Sequence, residues 1–194
     1  MKRLVHLSRL VMSVTLFIIS TNTALAADVH VRPDGYLSYE GSVVNGDSDK
    51  LKKLLSVGNN RKNTLFIKSN GGSVVDAIAT SNLITAFEMN VATSKECLSS
   101  CTFILFSGMN KYVKRGTRVG VHCPFYTYVS GGTSYIEAGD ATYWKLYGMI
   151  RAGGMSDIKT HKFLDMTFSH KSKEMRYLTE KELKYFGFNF VEGN

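Results

Sequence analysis

The feature that most constrains this chain is a buried strand, a glycine turn and an amphipathic helix in direct succession. Residues 64–69 contain the apolar run LFI and predict a short buried strand. Gly71 and Gly72 follow and indicate a tight turn, because glycine adopts positive φ at little cost. Residues 73–87 then place apolar side chains at helical spacing, and residues 90–94 can return as a parallel strand. This unit predicts an α/β fold with a largely parallel sheet.

The rest of the chain continues the alternation of strands and helices. Strands are predicted over residues 29–32, 36–43, 111–114 and 118–122, with a hairpin or loop over 127–135. Helices are predicted over 47–57, with Asp47 or Ser48 as cap, and over 141–151, 156–166 and 179–185. Ser73 can cap the helix over 73–87, and Thr179 with Glu182 forms a capping-box pattern. A further helix should follow the stretch KECLSSC at residues 95–101 and end at Phe106. We find no internal repeat and no linker, so we expect a single domain.

The first 26 residues have the pattern of a secretory signal peptide. Lys2 and Arg3 precede an apolar run over residues 10–19, and Ala24, Leu25 and Ala26 form a small-residue cleavage site. The run is about half the length of a membrane-spanning helix. We therefore expect residues 27–194 to form an exported domain, periplasmic or secreted, with no membrane span after cleavage.

Charge argues against a nucleic-acid partner. The chain carries 24 Lys and Arg against 16 Asp and Glu, but the positive residues are scattered and form no continuous basic run. A nucleic-acid partner is therefore not expected.

The cysteines predict a disulfide and no metal site. An exported chain meets an oxidising compartment, where Cys97 and Cys101 are expected to join, and their spacing suits a bend entering a helix. A thiolate nucleophile at Cys97 is the alternative interpretation. Cys123 is either a buried thiol or the partner in an intermolecular bridge. Zinc is not expected, because the sequence lacks a second ligand pair at suitable spacing.

Three segments can together supply the parts of an acyl-transfer site, which needs no cofactor. A serine hydroxyl requires a base to take its proton and hydrogen-bond donors for the developing oxyanion. Ser99, before a helix, is the candidate nucleophile, and His122, at the end of a strand from a neighbouring layer, is the candidate general base. The N–H groups of Gly72 and Ser100 are the candidate oxyanion hole, with the helix dipole assisting. The structural alternatives are a capping serine and a buried histidine bonded to a backbone carbonyl.

The ordered segments IKSNGGSVVDAI, CLSSCTFILFSG and GTRVGVH resemble the Clp protease proteolytic subunit and its exported relatives in the crotonase-like superfamily. The resemblance spans roughly residues 37–190. The segment CLSSC is similar to a Cys-Ala-Ser-Ala-Cys pattern of the exported branch. It places Ser99, rather than Ser100, on the family's nucleophile. It places His122 on the base and Gly72 on the oxyanion glycine. The resemblance implies a crotonase-like ββα spiral, a peptide or protein substrate and a homo-oligomer.

One position departs from the family pattern. The aspartate that orients the family's histidine corresponds here to Lys171, and neither Asp165 nor Glu174 falls on the motif. Loss of that carboxylate typically costs several orders of magnitude in rate. A related signal-peptide peptidase family pairs serine with lysine, but no lysine in this sequence stands out for that role. Three hypotheses follow. The first is an exported serine hydrolase, a peptidase with a Ser-His pair, and the second is an inactive crotonase-fold module that binds a peptide or envelope protein. The third is a non-catalytic scaffold whose essential feature is the Cys97–Cys101 bridge.

Overall fold

The computed structural model describes residues 26–57, 62–171 and 174–192. All of the predicted signal peptide except Ala26 therefore lies outside the described residues. Within those ranges, no helix is both long enough and apolar enough to span a bilayer.

The strands and helices follow the chain in an alternating order. The strands are β1 (Asp28–Val31), β2 (Leu37–Glu40), β3 (Thr64–Lys68), β4 (Asn90–Thr93), β5 (Glu96–Leu98), β6 (Lys111–Lys114), β7 (Arg118–Val121), β8 (Phe125–Thr127), β9 (Thr133–Tyr135), β10 (Arg176–Tyr177) and β11 (Phe188–Val191). The helices are α1 (Asp47–Ser56), α2 (Val74–Ala86), α3 (Cys101–Phe106), α4 (Ala141–Ala152), α5 (Asp157–Ser169) and α6 (Glu180–Tyr185).

A largely parallel sheet forms the centre of the molecule. Its strand order is β1-β2-β3-β4-β6-β11, and all neighbours are parallel except the edge pair β1 and β2. The strand-turn-helix-strand unit predicted from residue 64 onward supplies β3, α2 and β4. The prediction of a single mixed α/β domain with a largely parallel sheet is confirmed.

A second, smaller sheet carries the residues of interest. It has the order β10-β7-β5, with β5 parallel and β10 antiparallel to β7. An isolated bridge between Ser69 and Cys97 ties it to the end of β3. The sequence interpretation of residues 95–101 as a simple bend missed β5, because three residues are too few for a recognisable pattern.

Burial in the strands follows the expected alternation, and α3 is buried along its whole length. In β3, Leu65 and Ile67 are buried, whereas Phe66 between them is half-buried. All six residues of α3 are buried, and Phe106 at its end stacks on Phe163 of α5 with ring centroids 3.7 Å apart. The bend that precedes α3 is therefore attached to the centre of the hydrophobic core.

The helix caps agree with the sequence at two places and differ at one. Ser73 accepts a hydrogen bond from the Asp76 N–H, as predicted, and Thr179 forms the predicted capping box with Glu182. The prediction that Asp47 or Ser48 caps α1 is wrong. Gly46 precedes that helix, and the buried Asp47 carboxylate accepts hydrogen bonds from the Tyr39 hydroxyl and the Val44 N–H instead.

Candidate active site

Ser99 lies in a strained bend between β5 and α3. Its φ of 54° is in the left-handed region, where a non-glycine residue costs about 1–3 kcal/mol. The bend is held because the Ser99 N–H donates to the Gly120 carbonyl at 2.8 Å, and the Ser99 carbonyl accepts from the Thr102 N–H at 2.9 Å. The side chain is half-buried and, across the described residues, makes no hydrogen bond. Its hydroxyl is therefore available for chemistry.

Ser100 occupies a different environment from its neighbour. It is only 1% exposed, and its Oγ has no hydrogen-bond partner among the residues described. A buried hydroxyl without access to a substrate is a poor candidate nucleophile. The difference in exposure favours Ser99, which is the position selected by the sequence resemblance.

A disulfide fixes both sides of this bend. Cys97 in β5 and Cys101, the first residue of α3, are bonded, with their Cα atoms 5.3 Å apart. Both cysteines are fully buried. The bridge spans a strand end and a helix start, which is the bend geometry expected from the sequence. The bonded state of Cys97 excludes the alternative in which it acts as a thiolate.

The glycine turn packs directly against Ser99. A Cβ placed on Gly71 would lie 2.6 Å from the Ser99 Cβ and 3.0 Å from the Ser100 nitrogen. Val43 holds the turn from the other side, because its N–H donates to the Gly71 carbonyl at 2.9 Å. Gly72 has φ 143°, and a Cβ there would lie 2.2 Å from the Val43 oxygen. A Cβ at either position would collide with neighbouring atoms, and both residues have positive φ, so both positions require glycine.

Two backbone N–H groups beside Ser99 remain without acceptors. In the described part of the chain, neither the Gly72 N–H nor the Ser100 N–H donates a hydrogen bond, whereas the Gly71 N–H donates to Ser69 Oγ at 3.0 Å. Unpaired N–H groups of this kind can stabilise an oxyanion. The expected help from a helix dipole is not supported, because α3 has only six residues. The N–H groups of Gly72 and Ser100 are therefore the candidate donors to an oxyanion.

His122 and Ser99 follow adjacent strands of the small sheet. β5 and β7 are parallel, with Leu98 opposite Gly120, so both residues lie at the carboxyl ends of paired strands. The sequence interpretation placed His122 in a neighbouring layer, and the structure places it in the same sheet. Within the described residues, the Ser99 hydroxyl and the His122 ring are not hydrogen bonded. Catalytic hydrogen bonds are often absent or long in ligand-free enzymes and shorten when substrate binds.

A backbone carbonyl orients the His122 ring. Nδ1 lies 2.9 Å from the Cys123 carbonyl oxygen. Because a carbonyl only accepts, Nδ1 carries the proton and Nε2 is left with its lone pair. Burial lowers the pKa of His122, the Cys123 carbonyl opposes this shift, and the nearby His170 lowers the pKa further. The ring is therefore held neutral in the tautomer that a general base requires.

Lys171 does not replace the family's aspartate in orienting this histidine. Its ammonium pairs with Glu137, with N–O distances of 2.6 and 2.8 Å. No carboxylate is among the groups that shift the His122 pKa. In this chain, the orienting contact comes from the main chain at Cys123.

A groove of about 340 Å³ opens beside the glycine turn. Its lining is Gly72, Ser73, Val74, Val75, Ile78, Phe125, Tyr126, Ile136, Thr142 and Lys145. The Phe125 ring lies 5.4 Å from the His122 ring, so the groove adjoins both the turn and the candidate base. No local sequence pattern predicts the groove, because its walls come from α2, the β8–β9 hairpin and α4, which are far apart in the chain.

Comparisons with known proteins support the fold. No protein-family model and no curated protein sequence matches the chain. Among solved structures, it is similar to a serine-to-alanine variant of the 1510-N membrane-bound stomatin-specific protease, with 14% identity and a TM-score of 0.56 over 77% of this chain and 74% of that one. A lysine-to-alanine variant of the same protease, in complex with a substrate peptide, gives 15% identity and a TM-score of 0.55 over 77% and 70%. The chain therefore shares the fold of these protease structures.

Proposed function

We propose that this protein is a serine peptidase whose nucleophile is Ser99. The observation that carries the proposal is the half-exposed Ser99 hydroxyl in a strained bend, which packs against the glycine turn and has the N–H groups of Gly72 and Ser100 unpaired among the described residues. The fold of the chain is shared with protease structures, one of which holds a substrate peptide. A peptide is accordingly the substrate class that we propose.

The proposed reaction is a two-step acyl transfer. His122 Nε2 takes the proton of the Ser99 hydroxyl while Oγ attacks the carbonyl carbon of a peptide bond. The N–H groups of Gly72 and Ser100 hold the oxyanion of the tetrahedral intermediate. His122 returns the proton to the leaving amine, which yields an acyl-enzyme. Water, deprotonated by the same imidazole, then attacks the acyl carbon. The bond to Ser99 Oγ breaks, His122 returns the proton to Oγ, and the acid product is released.

A lysine is the alternative to His122 as the base, because one structural neighbour is altered at a lysine. In this chain, Lys145 is the lysine that lines the groove beside Gly72. It is exposed, whereas a lysine base needs desolvation to lose its proton at neutral pH. His122 is buried, its pKa is lowered, and its Nδ1 contacts the Cys123 carbonyl, which leaves Nε2 as the free ring nitrogen and supports its assignment as the base.

A fluorophosphonate probe tests the nucleophile. We expect the probe to label the unaltered protein and to lose this labelling in Ser99→Ala. Ser100→Ala is the matched control, because its buried hydroxyl has no partner in the described structure and its loss should cost little. Labelling that persists in Ser99→Ala but disappears in Ser100→Ala would contradict the assignment.

The second candidate function is an inactive module that binds peptides in the same place. It is favoured by the lysine at the position of the family's aspartate and by the lack of a Ser99–His122 hydrogen bond in the described residues. Well-folded protein that binds peptides but neither labels nor hydrolyses them would support the module over the peptidase.

We also propose export and self-association. The signal-like residues 1–26 support export, and mass spectrometry of protein from the host envelope should find a mature amino terminus at Ala27.

The family resemblance supports a homo-oligomer, which light scattering of the purified protein can measure. A monomer retained with its leader in the cytoplasm would contradict both proposals.

A further inference from the structure

The groove beside Gly72 has one charged group among apolar walls. Val75 and Tyr126 line it and are 73% and 58% exposed, so the groove presents apolar surface to solvent. Lys145 from α4 is the only charged residue among those described as lining it. The groove thus has the chemistry of a site for an apolar group with a negative charge nearby.

Neighbouring carboxylates do not neutralise Lys145. In the described part of the protein, its ammonium forms no ion pair and no hydrogen bond. Asp140, at the start of the same helix, accepts from the N–H groups of Thr142 and Tyr143. Asp76, below the turn, accepts from the Gly46 N–H and the Ser73 hydroxyl. Neither carboxylate pairs with Lys145 in the described residues, so the ammonium is available to a ligand.

We infer that this groove selects peptides in which an apolar residue near the scissile bond is followed by a carboxylate that pairs with Lys145. The inference rests on the proposed peptidase function, because the groove begins at Gly72 and borders Phe125, which contacts His122. The apolar side chain would pack against Val75, Ile78 and Phe125. The carboxylate can belong to the peptide's C-terminus or to an acidic side chain.

The test measures peptide binding to the Ser99→Ala protein, so that hydrolysis plays no part. The probes are fluorescein-labelled peptides of one sequence that share a leucine near the C-terminus. One ends at this leucine with a free carboxylate and one with an amide. Two others are amidated and continue past the leucine with glutamate or glutamine.

Tighter binding of charged peptides supports the inference, and the peptide that is preferred shows which carboxylate pairs with Lys145. We expect a carboxylate-bearing peptide to bind about three- to fivefold more tightly than its neutral counterpart at low salt, as an exposed ion pair allows, and the difference to vanish at high salt. Preference for the free acid assigns the carboxylate to the C-terminus, and preference for glutamate assigns it to a side chain. Equal binding of charged and neutral peptides would overturn the inference.

Variants of Lys145 connect the preference to this residue. Lys145→Ala should abolish it, Lys145→Glu should reverse it and Lys145→Arg should keep it. Lys53→Ala is the matched control, because Lys53 is an exposed helix lysine outside the groove. If Lys53→Ala reduces the preference as much as Lys145→Ala does, the effect is one of net charge and the inference fails.

Two outcomes separate a failure of the proposed peptidase function from a failure of the inference about Lys145. If the charge preference is found in Ser99→Ala but the unaltered protein hydrolyses none of these peptides, the groove is a recognition site and the peptidase proposal fails. If the peptides are hydrolysed without regard to charge, the peptidase proposal stands and the role of Lys145 falls.

Discussion

At the scale of single residues, the environments of two adjacent serines separate a candidate nucleophile from a structural side chain. Ser99 has positive φ and a half-exposed hydroxyl, whereas Ser100 is buried. The same logic applies to His122, whose tautomer is set by one contact with the Cys123 carbonyl. An uncharged carbonyl orients the ring without the charge stabilisation that an aspartate gives an imidazolium. A slower reaction than that of a complete triad is the expected consequence.

The lowered pKa of His122 predicts the acid limb of the pH-rate profile. The neutral ring is the active form, so activity is lost as pH falls through the pKa of the folded protein. Because burial and His170 lower this pKa, the limb of kcat/KM should lie below the ordinary value of 6.5. His170→Gln should move it upward, because it removes one of the causes that lower this pKa. A limb centred above 6.5 would show that His122 is not the base.

Gly72→Ala should damage both activity and stability. The added Cβ would meet the Val43 oxygen at 2.2 Å, so the backbone of the turn must shift and carry its N–H away from the oxyanion. We expect kcat to fall by about 100-fold or more and the free energy of unfolding to fall by about 2 kcal/mol. Gly116→Ala is the matched control, since Gly116 also has positive φ (78°) but has nothing within 4 Å of a new Cβ. Equal effects of the two substitutions would contradict the steric explanation.

At the scale of elements, the β5-to-α3 connection determines where Ser99 lies. β5 is held in the small sheet by β7, α3 is held in the core along its whole length, and the Cys97–Cys101 bridge joins the two across the bend. A non-glycine residue in the left-handed region persists only when its surroundings fix it there. The disulfide is therefore part of what keeps the candidate nucleophile in position.

Removing this bridge should affect activity beyond its effect on folding. For so short a loop, we expect Cys97→Ala with Cys101→Ala to lower the free energy of unfolding by about 2 kcal/mol. The rate of fluorophosphonate labelling at Ser99 should also fall, because the strained φ can relax. A reductant should produce the same loss in the unaltered protein and none in the double variant. Unchanged labelling in a folded double variant would show that the sheet and core suffice.

At the scale of the whole molecule, Lys111 connects β6 to two helix ends. It is only 4% exposed, and its ammonium donates to the carbonyls of Gly108 and Gly153 at 2.6 and 3.3 Å. Gly153 in turn lies so close to the end of α3 that a Cβ would be 2.3 Å from the Ser107 oxygen. Burial, with a smaller contribution from Lys159, lowers the pKa of Lys111 to about 8.

This buried ammonium predicts a pH dependence of stability. The folded-state pKa of Lys111 lies below its ordinary value of 10.5, so the unfolded chain binds more protons between these values. Stability must therefore rise with pH from about 8 to 10.5, on the order of 3 kcal/mol from this group. The difference in unfolding free energy between the unaltered protein and Lys111→Met, measured by denaturant titration at several pH values, should show this rise. A difference that is flat with pH would mean that Lys111 is well solvated.

Local sequence determined most of the secondary structure. The glycine pair, the apolar spacing of α2 and the caps at Ser73 and Thr179 are signals within a few residues, and they specified the strand-turn-helix unit and the α/β class. The serine, histidine and glycine of the candidate site were also identified from the sequence, though by their order along the chain and a family resemblance, and their roles stay predictions. Short β5 was missed, because its pairing with β7 involves residues about 20 positions away.

Only the tertiary structure decided how these residues meet. The turn that packs on Ser99 is held on its other side by Val43, which lies in the connection between β2 and α1. The His122 ring is oriented by a carbonyl, at a site where the sequence suggested a missing carboxylate. The groove with Lys145 joins three segments that share no sequence pattern. The physical reason is the range of the forces involved: conformational preference and capping act between near neighbours in the chain, whereas exposure, packing and pKa depend on whatever the fold places alongside.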